Sequence, residues 1–277
     1  MELPDFDTVF IGVCVFEVIH MLVFLVNYIW PSNDVKKADA RFYISKAMFF
    51  AFVVVSEYQA LSGSPFLPES LGGLAEGWFG TGMWRDLGYR ASMTAVTNEQ
   101  FRKVYIAQIA YHSFSTITSA FPGNRTKPEM FFHHIITMIL LVASVYADHR
   151  PEGTLVLFLH DGSDVFTSLT KCFLALNWTY TTLTAYFGLL GIWVYFRLYL
   201  LANYAYSVVT NPGIPLMVFL GSCVFVLLGL HIFWFYLFLK MGMKFAKKGS
   251  LPKDSTKHDY KSEADDSKIK NNTKKRR

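Results

Sequence analysis

Seven stretches of the chain stay apolar for about 20 residues, the length that crosses a ~30 Å hydrocarbon layer as a helix. They are Thr8–Trp30, Phe42–Ser62, Phe101–Phe121, Met130–Ala147, Gly153–Leu176, Thr182–Val209 and Ile214–Lys240. The second, third and fifth are broken by polar residues, and polar side chains at membrane depth belong on an interior cavity. The pattern predicts an all-α membrane protein of about seven transmembrane helices around a polar cavity. Between the second and third runs, Gly63 to Gln100 carries Gly72, Gly73, Gly77, Gly80, Gly82 and Gly88, and reads as a structured or interfacial loop.

Composition agrees with a membrane setting. Hydrophobic residues make up 52%, aromatics 17% and charged residues 17% of the 277, against roughly 25% charged in soluble domains. Net charge then orients the chain. From Lys240 to Arg277 there are 13 Lys and Arg against five Asp and Glu, so the formal +5 belongs to the tail, while residues 1–239 hold 13 basic and 16 acidic groups. Only Tyr260 interleaves aromatics in the last 30 positions, and the tail therefore reads as a flank for anionic lipid headgroups and not as a nucleic-acid surface. After Lys247 there is almost nothing to bury, and the segment reads as disordered.

Glu2, Asp5 and Asp7 precede the first run without any Lys or Arg, the wrong flank for a signal peptide. Lys36, Lys37 and Arg41 follow it, so the N-terminus is expected in the lumen and, after seven crossings, the C-terminus in the cytosol. Arg125 and Lys127 fall on the cytosolic side; Arg85, Arg90, Arg102 and Lys103 run against the rule. The sequons at Asn124 and Asn177 stay cytosolic and unmodified. Cys14, Cys172 and Cys223 lie far apart in apolar runs and suggest neither a disulfide framework nor a metal site.

The fourth and fifth runs hold the chemistry. In Met130-Phe-Phe-His-His-Ile-Ile-Thr137, His133 and His134 lie about 100° apart on one helix, and Thr137 follows one turn on. In Leu159-His-Asp-Gly-Ser-Asp164, His160 and Asp161 share a broad face with Asp164, and Lys171 recurs two turns later. Facing lipid, these groups would be very costly, so they should converge on one cavity. His20, His112 and His231 read as packing residues, and Asp148 and His149 as solvated loop residues. Three chemistries use such a set: a mononuclear metal site, a proton-coupled transport relay, and acyl transfer, in which a neutral histidine is base or nucleophile and a carboxylate holds its tautomer. Di-iron chemistry is disfavoured because the chain has no HxxxH.

At these residues the chain resembles the TLC-domain family, and within it the ceramide synthases. The pattern reads His133-His134, Thr137, Leu140-Leu141, Ser144, Tyr146, Arg150, Gly153, Leu159-His160-Asp161, Ser163-Asp164 and Lys171. Tyr105-Ile-Ala-Gln108-Ile-Ala-Tyr111-His112 upstream and Leu230-His231-Ile-Phe-Trp234 downstream resemble the flanking spans of the family, and the resemblance covers roughly Trp84 to Lys244. The chain departs from the pattern in placing Pro151 and Glu152 between Arg150 and Gly153, so no role is carried over to Arg150.

The resemblance implies a division into residues 1–40, an N-terminal helix and basic cytosolic link; 41–244, a TLC-type catalytic membrane domain; and 245–277, the cytosolic tail. It implies an acyl-CoA-dependent transferase that N-acylates a sphingoid base to (dihydro)ceramide, with acyl-CoA as co-substrate and no metal or other cofactor. His133 or His134 would be the base or the acyl-accepting nucleophile, Asp161 and Asp164 would orient the histidines, and His160 would complete the network. Lys171 and Thr137 would support, and Arg125 and Lys127 would meet the anionic CoA end. Ser262, in Asp259-Tyr-Lys-Ser262-Glu263-Ala-Asp265, resembles a phosphorylated tail site, and Lys274-Lys275-Arg276-Arg277 fits endoplasmic-reticulum retrieval. Expected partners are the two substrates, membrane lipids and further subunits in a homo- or hetero-oligomer. The alternatives are a non-catalytic TLC-domain lipid binder or transporter, and a metal-dependent membrane oxidoreductase. One tension stands: these boundaries put His133 and His160 more than ~10 Å apart in depth, unless the fourth helix begins before Met130, the helices tilt, or Asp164 is the nearer partner.

Overall fold

The computed structural model describes residues 5–29, 34–73, 95–121, 127–210 and 215–248. Among these the chain is all helix: α1 (Phe6–Ile29), α2 (Val35–Leu61), a 3₁₀ turn (Glu69–Leu71), α3 (Ala95–Ser119), α4 (Pro128–Tyr146), α5 (Arg150–Ala175), α6 (Thr179–Ile192), α7 (Leu201–Thr210) and α8 (Pro215–Lys248). A π-helical segment, Trp193–Leu200, joins α6 to α7, so that the two form one rod. Seven long rods therefore stand where seven apolar runs were read. Local chemistry sets their ends. Asp34 caps α2 by accepting the Lys37 N–H at 3.2 Å, a bond that holds its carboxyl below the usual range. Pro128 and Pro151 occupy first-turn positions of α4 and α5, where a missing N–H costs nothing.

Four rods are long and apolar enough to cross a membrane by length and composition: Phe6–Ile29, Pro128–Tyr146, Thr179–Val209 and Val218–Lys247. The other three, α2, α3 and α5, owe their lower apolarity to polar side chains that they turn inward, among them Glu57, Gln108, His160 and Asp161. Meanwhile Ile11, Ile106, Phe132, Val142, Phe187 and Ile232 lie exposed on the outside. Such a surface matches acyl chains, not water. The molecule is an all-α, multi-pass membrane protein.

α5 is the hub, packed against α2, α6, α3, α4 and the π segment. Around it Leu61, Phe66, Leu67, Phe101, Leu155, Leu159 and Leu200 form the main buried cluster. The start of the expected loop belongs to this core: Phe66 and Leu67 are fully buried, and Ser70 meets the Tyr195 hydroxyl at 2.7 Å. Gly72 closes the 3₁₀ turn at φ +87°, a conformation that costs glycine nothing. Residues 74–94 of the loop, Arg125, Ser262 and the retrieval motif lie outside the described residues.

Candidate active site

Five helical elements deliver side chains to one buried region. α4 supplies His133 and His134, α5 His160, Asp161 and Asp164, α3 Gln108 and His112, α8 His231 and Trp234, and the π segment Arg197. The expected depth mismatch is absent, since the His133 and His160 ring centroids are 6.1 Å apart. α4 does begin before Met130, at Pro128, but the larger change is at the other end. α5 starts at Arg150, three residues before the expected Gly153, and only residues 147–149 connect it to α4. The two helices run antiparallel across this short connection, which brings positions 133 and 160 level to within a turn.

The histidines form a chain. His231 lies 4.7 Å from His160, His160 6.1 Å from His133, His133 5.5 Å from His134, and His134 5.7 Å from His112, centroid to centroid. Trp234 closes edge-on over His133 at 5.3 Å. His112 and His231, read from sequence as packing residues, are thus part of the cluster. His20 is not; it meets Ser45 at 3.1 Å and packs on Phe42. The His160 Nδ1 stands 2.6 Å from the Val156 carbonyl oxygen. A carbonyl only accepts, so Nδ1 carries the hydrogen and Nε2 keeps the lone pair. Among the described residues that Nε2 has no hydrogen-bond partner. Thr137 donates its hydroxyl to the His133 carbonyl at 2.9 Å and lines the same space.

The carboxylates are held differently from the expectation that they orient histidines. Asp161 accepts from Gln108 Nε2, which also donates to Glu57 Oε1 at 2.7 Å, so one amide bridges two buried carboxyls. Asp164 is ion-paired with Arg197 at 2.7 Å. Arg197, only 2% exposed, also donates to the His160 carbonyl at 2.8 Å and to Ser163 Oγ, and its guanidinium lies 4.3 Å over Trp193. One cation thus fixes the backbone of the His-Asp-Gly-Ser-Asp segment. A side chain on Gly162 would stand 2.6 Å from the Phe196 ring, so only glycine lets α5 approach the π segment this closely. Lys171 lies away from this centre, its ammonium 5.5 Å over the Tyr43 ring. Lys127 is the N-cap residue of α4, at the end nearer His133.

Sequence reasoning missed Arg197, Glu57 and Gln108. Arg197 had a signal, as the lone charge in the sixth apolar run. Glu57 and Gln108 meet Asp161 only across three helices, and no local spacing reports that. Among the described residues, no three His, Cys, Asp or Glu side chains converge as a metal-ligand set.

A cavity opens beside the cluster. His133, His160, Asp161 and Asp164 line one end, Leu140, Leu141, Val156 and Leu157 the walls, and Tyr105, Ser144, His149 and Glu152 the far end. His149, expected to be solvated, is one of those lining residues.

Fold and site together define a multi-pass membrane protein with a histidine-rich internal cavity. The sequence profile of the TLC domain matches residues 42–240, and the chain belongs to that family. Ceramide synthase 1 of Homo sapiens is 32% identical over 148 residues, covering 47% of this chain and 42% of that protein. Ceramide synthase 4 of Bos taurus is 28% identical over 157 residues, 54% of this chain and 40% of that protein. Ceramide synthase LOH1 of Arabidopsis thaliana is 24% identical over 176 residues, 54% of each. The chain thus matches about half the length of these curated relatives.

Proposed function

We propose that this protein is an acyl-CoA-dependent N-acyltransferase of sphingoid bases, acting in the endoplasmic-reticulum membrane with seven spans, a lumenal N-terminus and a cytosolic C-terminus. The observation that carries the reading is the histidine chain on the cavity wall, with the His160 lone pair left free by the Val156 bond. Similarity to ceramide synthases supports the substrate class.

In the proposed course, a His133 ring nitrogen bonds to the thioester carbon and the C–S bond breaks, releasing CoA as its thiolate. The amine then bonds to the acyl carbon as the carbon–imidazole bond breaks, and His160 Nε2 takes the amine proton. His133 is preferred to His134 because it lines the cavity, whereas His134 faces His112. Asp164 and Arg197 hold the His160 segment, and the Glu57–Gln108–Asp161 bridge sets the charge behind it. Lys171 and Lys127, on the cytosolic side of that topology, face the arriving CoA together with Arg125; Ser262 is a regulatory phosphorylation site.

The test is purified protein in nanodiscs given an acyl-CoA series and sphinganine. CoA release with formation of dihydroceramide is the expected result. Retained lipid without CoA release would instead favour a lipid-binding TLC protein, and stoichiometric iron an oxidoreductase.

A further inference from the structure

The cavity is polar at both ends. Far from the histidine chain, three helices bring together Tyr105 of α3, Ser144 of α4, and His149 and Glu152 at the start of α5. His149 Nδ1 and Glu152 Oε1 are 3.0 Å apart, and Glu152 is 1% exposed. The Tyr105 hydroxyl stands against Gly153, where an added Cβ would overlap it and come within 3.2 Å of Ser144 Oγ. Glycine at this position admits the Tyr105 hydroxyl. Between the two ends, Leu140, Leu141, Val156 and Leu157 offer only apolar surface. His160 and Glu152 are eight residues apart on one helix, about 12 Å.

A carboxyl, an imidazole, a phenol and a hydroxyl at the end of an apolar cavity form a donor and acceptor set for one polar group on an aliphatic ligand. A plain chain pushed into that corner would strip water from these groups and return no hydrogen bond. Resting on the reading that the histidines hold an acyl group, we infer that the far corner receives a hydroxyl on the acyl chain, so that the cavity selects mid-chain hydroxylated fatty acyl groups. The simpler role for the pair is to hold the first turn of α5. His149 is the N-cap residue of α5 and Glu152 its third residue, with the two side chains bonded to each other and the His149 N–H given to the Ser144 carbonyl at 2.8 Å. That role alone would alter stability and leave ligand preference unmoved.

Binding decides between them and needs no turnover, so its outcome stands apart from that of the CoA-release assay. Full-length protein in nanodiscs competes a fluorescent fatty acid with fatty acids of one length bearing a hydroxyl at the second carbon, mid-chain, at the terminus or nowhere, and with sphinganine. The mid-chain hydroxyl should bind about tenfold tighter than the plain chain, the worth of one good hydrogen bond. Glu152→Gln and Tyr105→Phe should shrink that ratio toward one while plain-chain affinity holds. Tyr105→Phe leaves the His149–Glu152 pair intact and decides the matter if the Glu152 variant does not fold. Equal affinities in the wild type, or a preference that survives in Tyr105→Phe, would overturn the inference. So would sphinganine binding that alone depends on Tyr105, since the hydroxyl would then belong to the base.

Discussion

A histidine serves as a base only if one ring nitrogen keeps its lone pair, and here a backbone carbonyl makes that choice for His160. With His133 on the cavity wall and His134 behind it, the two substitutions should separate. His133→Ala should lower CoA release by about 10²–10⁴-fold, the usual worth of a positioned base or nucleophile, and His134→Ala by much less; full activity in both would sink the mechanism. Arg197 makes a different prediction. Replacing it with Met leaves Asp164 with no cation at 2.7 Å and unties the His160 carbonyl. The cost should be about 3 kcal/mol in thermal or denaturant unfolding, the low end for a buried pair because Asp164 opens on the cavity. Asp164→Leu combined with Arg197→Met should recover part of that loss. The pairs adjacent in sequence, His133-His134 and His160-Asp161-x-x-Asp164, were legible because helical spacing alone puts them on one face. Their partners Glu57, Gln108 and Arg197 come from other helices, and tertiary packing decides those contacts.

At the scale of elements, the apolar runs predicted every rod, but misplaced ends by a few residues, and those few residues moved the chemistry. Ending the fourth run at Ala147 and starting the fifth at Gly153 drew the connection too far into α5, because Arg150, Pro151 and Glu152 look like loop and are the first turn of α5. Proline is welcome there, and Glu152 in a first turn suits the helix dipole. The π segment was not legible either. Trp193–Leu200 reads as ordinary apolar helix, and its wider turn reflects the packing of Phe196 against Gly162 and the Arg197 bonds to α5. That contact is testable. Gly162→Ala should destabilise by about 1–3 kcal/mol through overpacking, while Gly229→Ala on α8, where nothing lies within 4 Å of the added carbon, should be neutral or slightly stabilising. Equal melting shifts for the two would mean that α5 and the π segment can part without cost.

For the whole molecule, the question is how the rods alternate across the bilayer. Asp7 at the start of α1 pairs with Lys103 near the start of α3 at 2.6 Å, and Tyr28 at the end of α1 packs on Phe121 just past the end of α3, ring centroids 5.6 Å apart. α1 and α3 are therefore parallel, and α2, whose Ala38 carbonyl accepts from Asn27 at 3.3 Å, returns between them. α2 and α5 run antiparallel in turn, since Ala40 near the start of one meets Cys172 near the end of the other. Two of the charges that run against the positive-inside rule are ion-paired at this end, Lys103 with Asp7 at 2.6 Å and Arg102 with Glu99 at 2.7 Å. Alternation from a lumenal N-terminus puts Lys37 in the cytosol and Asp148, between α4 and α5, in the lumen. Both side chains are about 76% exposed, so each can report its side as a cysteine. In a background with Cys14, Cys172 and Cys223 replaced by serine, a membrane-impermeant maleimide applied to sealed microsomes should label Lys37→Cys at once and Asp148→Cys only after permeabilisation. The reverse order would invert the topology and place the far corner of the cavity on the CoA side. Immediate labelling of both would mean that an even number of crossings separates them, and one of the polar rods α2 or α3 would then lie within the bundle without spanning.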